Sequence, residues 1–333
     1  MLLAGDTFYR FRIEGKLGEG GMGLVYRAYD TMLRRQVALK VVRPEVAQTA
    51  AATRLMREGR AAASLNHPNA IGIFDIGSFE GIPYIVMELV SGHLLSAYIG
   101  DERVRTRQRL SWLAQIARGL DAAHQQGLVH RDVKPENVMV CETGEIKLFD
   151  FGVVKRMANL AHLSNTTDSS VVEKTRTGFV MGTPLYMAPE QALGDAVDGR
   201  SDQFSWGTLA YELLSGGIHP ATTNNPRRLP IAFAILREQP RSLSEIAPRL
   251  PDGVAAIVMK ALGKAPSSRF ATMTEIYTAL DAIIRKMDDA AGRSTAPVTA
   301  KPVRKGRFRH VGLAAAALGL VAVLLFLSHV FYP

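Results

Sequence analysis

The chain has 333 residues, 47% of them hydrophobic, one cysteine and a formal net charge of +9. That length supplies two lobes with a real core and exceeds a single typical domain, while the lone Cys141 excludes an internal disulfide and suits a reducing compartment. Eight Lys/Arg between Arg285 and Arg309, set against Asp288 and Asp289, carry +6 of the +9, so the basic balance is local and argues against nucleic acid as a partner of the body.

Residues 1–10 read as an extension. Asp6 follows Met1-Leu2-Leu3-Ala4 at once, with none of the basic start or long apolar run of a signal peptide. Phe11 to Tyr29 alternates apolar and polar residues on both sides of a glycine cluster, which predicts two strands joined by a loop. The loop, Leu17-Gly18-Glu19-Gly20-Gly21-Met22-Gly23-Leu24-Val25, fits Gly-x-Gly-x-x-Gly-x-Val. Glycines there let backbone N–H groups come close to phosphates. A dinucleotide-binding loop has a near copy of this pattern but opens a helix, whereas this one leads into a second strand, Leu24 to Tyr29. Residues 45–65 have apolar positions at helical spacing and carry Glu58; Glu45 sits before that pattern settles. Ile82 to Leu89 reads as an apolar strand. Leu110, Leu113, Ile116, Ala117 and Leu120 mark one face of a long amphipathic helix from Leu110 to Gln126, with Gly127 just past its end.

The most specific stretch comes next. His130-Arg131-Asp132-Val133-Lys134-Pro135-Glu136-Asn137 is followed, thirteen residues after Asn137, by Asp150-Phe151-Gly152. These two short loops bring together two carboxylates, an amide, a cation and a histidine. One carboxylate can accept a hydroxyl proton, the amide and the other carboxylate can hold metal, and the lysine can neutralise charge on a phosphate in flight. Residues 150–190 are rich in Ser and Thr, among them Ser164, Thr166, Thr167, Ser169, Ser170, Thr175 and Thr177. Asp288 to Pro302 holds Gly292, Pro297 and Pro302 among Ala, Ser and Thr, a linker composition. Val311 to Leu327 has no charged residue, and the apolar run to Tyr332 matches the ~30 Å hydrocarbon thickness of a bilayer.

These motifs, in this order, resemble those of the bacterial Hanks-type, PknB-like serine/threonine protein kinases; Lys-Pro-Glu-Asn is the serine/threonine form of the catalytic loop. The resemblance covers about residues 11–284. It implies an α+β, bilobal protein kinase-like fold, with a small antiparallel β lobe plus one helix and a large helical lobe. It implies ATP between the lobes, held by Leu17, Gly18, Glu19, Gly20, Gly21, Met22, Gly23, Leu24 and Val25, with Ala38 and Lys40 of Val37-Ala38-Leu39-Lys40. Glu58 would pair with Lys40. Met87 would be the gatekeeper, Glu88 and Val90 would bond the adenine edge through their backbone, and Met139 would form the floor. Gly92-His93-Leu94-Leu95 offers no acid for the ribose. Asn137 and Asp150 would hold Mg²⁺, with Mn²⁺ as a substitute. Asp132 would be the base and Lys134 the charge neutraliser, with the Thr183 hydroxyl beside them. Arg131 would bind a phosphorylated activation loop, with Thr175 and Thr177 as its phosphorylation sites. Glu190 of Met187-Ala188-Pro189-Glu190 would pair with Arg269, and Asp202 would bond the catalytic-loop backbone.

The expected organisation is an extension over 1–10, a kinase domain over 11–284, a basic, proline-containing juxtamembrane linker over 285–310 and a C-terminal transmembrane helix over 311–332. The basic cluster before the apolar run orients the kinase domain to the cytoplasmic side of the cell (inner) membrane, as a single-pass tail anchor with its C-terminus outside. The expected activity is ATP-dependent phosphorylation of Ser/Thr on protein substrates, switched on by autophosphorylation, with a homodimer left open. Two alternatives are a pseudokinase scaffold at the membrane, which loss of Lys40, Asp132 or Asp150 would favour, and a small-molecule kinase, which usually lacks the segment ending in Ala-Pro-Glu.

Overall fold

The computed structural model describes residues 2–20, 23–47, 56, 59–151, 185–224 and 231–294. The small lobe is built on a six-stranded antiparallel sheet of order β1-β2-β3-β4-β6-β5. Its strands are β1 (Thr7–Phe8), β2 (Phe11–Gly20), β3 (Gly23–Asp30), β4 (Arg35–Val42), β5 (Ile73–Phe79) and β6 (Ile82–Met87). The two strands expected around the glycine cluster are β2 and β3, paired from Phe11↔Asp30 to Gly20↔Gly23 with register shifts between Ile13 and Gly15 and between Lys16 and Gly18. β4 is buried from Val37 to Val42, apolar but for Lys40, as in a strand covered on both faces. One face carries an aromatic cluster in which Phe8 meets Phe79 and Tyr84 edge-on at 5.3 and 5.9 Å. Residues 2–10 pack onto this sheet: β1 pairs with β2, and the Leu2 N–H donates to the Tyr26 hydroxyl. Of the stretch 45–65, a short helix α1 (Pro44–Ala47) and helical residues 59–62 are described; Glu58 lies outside the described residues.

A second sheet, β7 (Gly92–Leu94), β8 (Val138–Cys141) and β9 (Ile146–Leu148), carries the loops of the cleft. Beneath it lie α2 (Thr106–Gln125), α3 (Pro189–Leu193), α4 (Gly199–Ser215), α5 (Ile231–Arg237), α6 (Leu243–Ile246), α7 (Val254–Ala261) and α8 (Met273–Ser294). The apolar face read for α2 is fully buried. α4 is buried on nearly every side, the mark of a helix at the centre of a core. It is capped by the Asp198 carboxylate on the Arg200 N–H and ended by Gly216 in the left-handed region at φ 81°. α8 is tied to α2 through Asp121, which accepts from the Thr274 N–H at 3.1 Å and its hydroxyl at 2.9 Å, and through the ion pairs Arg118–Asp281 and Arg107–Asp288. It runs past residue 284 into the stretch read as linker. No helix among the described residues is long and apolar enough to cross a membrane, and residues 311–332 lie outside them.

Candidate active site

The glycine loop spans the tip of β2 and β3, with Gly18 opposite Val25 and Glu19 opposite Leu24; Gly21 and Met22 lie outside the described residues. Gly23 is required by a close approach, since a Cβ there would sit 2.3 Å from the Val41 carbonyl oxygen, whereas Gly18 and Gly20 face open space. The Glu19 carboxylate accepts from Lys16 at 2.6 Å and is also paired with Arg43. These cations, Lys16 foremost, hold it below the ordinary carboxylate range. Any part Glu19 takes in nucleotide binding therefore belongs to its backbone.

β4 places Lys40 between Val25 and Ile85. Its Nζ lies 2.5 Å from Asp150 Oδ1, with the lysine side chain 11% exposed. The ion pair described for Lys40 is thus with Asp150; the one expected with Glu58 falls outside the described residues. Ala38 and Met87 are opposite one another in the β4–β6 ladder, and both are buried. Past Met87 the chain leaves the sheet. The Glu88 N–H donates to the Gly72 carbonyl at 2.8 Å, and its carboxylate accepts from Lys147 at 3.0 Å. The Glu88 carbonyl and the Val90 N–H bond no partner among the described residues, which leaves one acceptor and one donor at the cleft edge. Met139 on β8 is half-buried while Val138 and Val140 on either side are buried, so it faces away from the large-lobe core.

The catalytic loop is held from beneath by one side chain. Asp202, fully buried on α4, accepts from the His130 N–H at 2.8 Å and the Arg131 N–H at 2.7 Å, and its Oδ2 meets His124 Nε2 at 2.7 Å. Burial alone would push this carboxyl up; the His124 bond and the backbone donors outweigh it, so the group stays charged. Arg131 then turns through the left-handed region at φ 66°. His130 Nε2–H donates to the Phe149 carbonyl at 3.0 Å while its Nδ1 accepts from the Asp132 N–H at 3.3 Å, so the ring ties the two loops together. Asp150 also has a left-handed backbone, φ 62°.

Asp132 Oδ2 accepts from Lys134 Nζ at 2.7 Å and from the Asn137 amide at 3.0 Å; that amide also donates to the Asp132 carbonyl at 2.7 Å. Among the described residues Asp132 Oδ1 has no donor, and Asn137 Oδ1 is left to accept. The Phe149 N–H donates to the Asn137 carbonyl at 3.2 Å, which brings Asn137 beside the Asp150 loop. A free amide oxygen and a carboxylate are hard oxygen ligands that suit Mg²⁺, which completes its shell with water and phosphate oxygens; the donor set fits.

Glu190, at the start of α3, is held by the buried fork of Arg269 at 2.6 and 2.8 Å and by the Ser201 hydroxyl at 2.6 Å. All five Arg269 donors are used, the others by the carbonyls of Arg200, Gly263 and Lys264. The pairing that the resemblance implied is present. Gln191 donates to the Arg131 carbonyl at 3.1 Å, which joins α3 to the catalytic loop. Gly152, Thr175, Thr177 and Thr183 lie outside the described residues. The sequence reading missed His124, the third partner of Asp202, and Gly199, whose absent Cβ leaves room for the His124 ring: a Cβ there would lie 2.7 Å from its Nδ1.

Comparison with known proteins agrees with this geometry. A protein kinase domain profile matches residues 11–279, and the chain belongs to the protein kinase family. It is 41% identical over 272 residues to the serine/threonine-protein kinase PksC of Streptomyces coelicolor, covering 78% of this chain and 46% of that one. It is 38% identical over 273 residues to the serine/threonine-protein kinase PknB of Mycobacterium tuberculosis, covering 80% and 42%. The chain thus spans less than half the length of these curated relatives. Its fold is similar to the crystal structure of the Mycobacterium tuberculosis PknI kinase domain, with a TM-score of 0.65, 29% identity and coverage of 85% of this chain and 99% of that one.

Proposed function

We propose that this chain transfers the γ-phosphoryl group of ATP to Ser/Thr hydroxyls of proteins. The observation that carries this reading is the Asp132–Lys134–Asn137 cluster joined to Asp150 and Lys40 across the cleft. Asp132 Oδ1 orients the acceptor hydroxyl and takes its proton. Lys134, bonded to the other oxygen of the same carboxylate, faces the charge that builds on the phosphoryl oxygens. Lys40 holds the nucleotide phosphates, and Asn137 Oδ1 and Asp150 hold the metal. Mg²⁺, when bound, screens charge on the phosphates. The residues mostly position and stabilise charge, as a dissociative phosphoryl transfer requires. A pseudokinase scaffold gains no support, because Lys40, Asp132 and Asp150 are all in place.

In this reading Thr175 and Thr177 are phosphorylated by the enzyme itself and answered by Arg131, and Thr183 joins Asp132 and Lys134 in the catalytic set. Residues 285–310 lead to a membrane span over 311–332, with the kinase domain cytoplasmic. The test is incorporation of phosphate on threonine with Mg-ATP. The wild-type chain autophosphorylates and Asp132→Asn loses at least about a hundredfold in rate; incorporation undiminished in that variant sinks the assignment.

A further inference from the structure

We propose that His219 is a positioning residue for the protein acceptor, acting through the end of the segment that precedes α3; this rests on the kinase reading. His219 lies after α4, with 9% of its surface exposed. Its Nε2–H donates to the Leu185 carbonyl at 2.9 Å, and its Nδ1 accepts from the Ala221 N–H at 3.2 Å. The His219 carbonyl accepts from the Thr222 N–H and hydroxyl at 3.0 and 2.7 Å, which fixes the turn Pro220–Thr222 on which the ring is carried. The ring meets Tyr186 edge-on at 6.0 Å, and the Tyr186 hydroxyl bonds Glu212 on α4.

Leu185 and Tyr186 are therefore gripped from one side by the His219 turn and α4. A few residues on, Gln191 is bonded to the Arg131 carbonyl. The backbone between these two anchors is thereby held to the catalytic loop at Arg131, the neighbour of Asp132. In this proposal it borders the peptide that presents its hydroxyl to Asp132, and His219 fixes where that border begins.

The grip needs a neutral ring. Each nitrogen is already committed, one as donor and one as acceptor, so a second proton would land on Nδ1 and face the Ala221 N–H, donor against donor. Burial pushes the imidazole below its ordinary 6.5, and the bond to Leu185 offsets part of that. The titratable groups around it are Tyr186 and, through it, Glu212, with Glu238 and Lys264 lining the same cavity. None is bonded to the ring. The sign follows: with the folded pKa lowered, the grip is complete above 6.5 and weakens as pH falls below that value.

The experiment uses the full chain with myelin basic protein as acceptor. His219→Ala, which removes both bonds, should raise KM for the acceptor about tenfold with KM for ATP unchanged. His219→Gln offers an amide donor and acceptor without titrating; it should restore KM and abolish the rise in acceptor KM expected of the wild type as pH falls below 6.5. Amide hydrogen exchange at Leu185 to Ala188 should speed up in His219→Ala and return in His219→Gln. An unchanged acceptor KM in His219→Ala, or a pH-dependent KM retained in His219→Gln, overturns the proposal. If His219→Ala does not fold, the glutamine variant decides by its pH profile. If the wild-type chain transfers no phosphate, the kinase reading fails, and exchange at Leu185 to Ala188 decides whether His219 grips the segment: unchanged rates overturn that too.

Discussion

At the scale of single residues, the catalytic loop depends on a carboxylate that touches no reacting atom. Asp202 replaces the water that the His130 and Arg131 N–H groups would otherwise need. Asp202→Ala leaves two buried donors unpaired at about 1–3 kcal/mol each, so both the melting temperature and the transfer rate should fall. Gly199→Ala should give a milder version of the same defect, because its methyl group pushes His124 off Asp202; kinetics of that variant against the wild type check this. The Glu190–Arg269 pair makes a different prediction. Burial raises the Glu190 carboxyl, but the Arg269 fork and the Ser201 hydroxyl win and hold it below its ordinary 4.5. Its stabilising effect is present above 4.5 and is lost as pH falls through the lowered folded value. Glu190→Gln should thus lower the melting temperature near neutrality, the cost of leaving Arg269 without its partner being about 3–5 kcal/mol, and should flatten the acid limb of stability against pH. Asp202, Glu190 and Arg269 were legible because each sits in a motif that carries the resemblance to the protein kinases. His124 and His219 were not: their partners, Asp202 and Leu185, lie 78 and 34 positions away, and no local pattern marks a lone histidine that the fold will bury.

At the scale of elements, the amphipathic face of α2 and the paired strands β2 and β3 were readable because their hydrophobic periods, 3.6 and 2, run long enough to show. β1 was not. Two residues make no period, and what recruits them is the aromatic cluster around Tyr84 on β6, far away in the chain. α4 shows the opposite limit: a helix buried on nearly every side has no polar face to betray it. The start of α8 is fixed by Asp121 of another helix. Asp121→Ala removes both bonds to Thr274 and should cost about 1–2 kcal/mol, seen as a lower thermal midpoint and faster amide exchange in the first turn of α8.

For the molecule as a whole, the split into a sheet lobe and a helical lobe was implied by the resemblance to the protein kinases, because the periods of single segments do not say which of them pack together. The proposed anchor is a separate physical claim, resting on the apolar run from Val311. Truncation after Lys305 should move the protein from the membrane pellet to the supernatant; a truncated chain that still pellets would show that another surface holds it.

The Lys40–Asp150 pair has a thermodynamic consequence for that chemistry. A phosphate that draws Lys40 away strips Asp150 of its counter-charge, and a cation that takes Asp150 releases Lys40 for an anion. Each ligand pays the other's cost of separation, so nucleotide and metal affinities must rise together by one shared factor, whichever arrives first. Binding curves for free nucleotide at increasing Mg²⁺ measure that factor, and Lys40→Met should reduce it towards one.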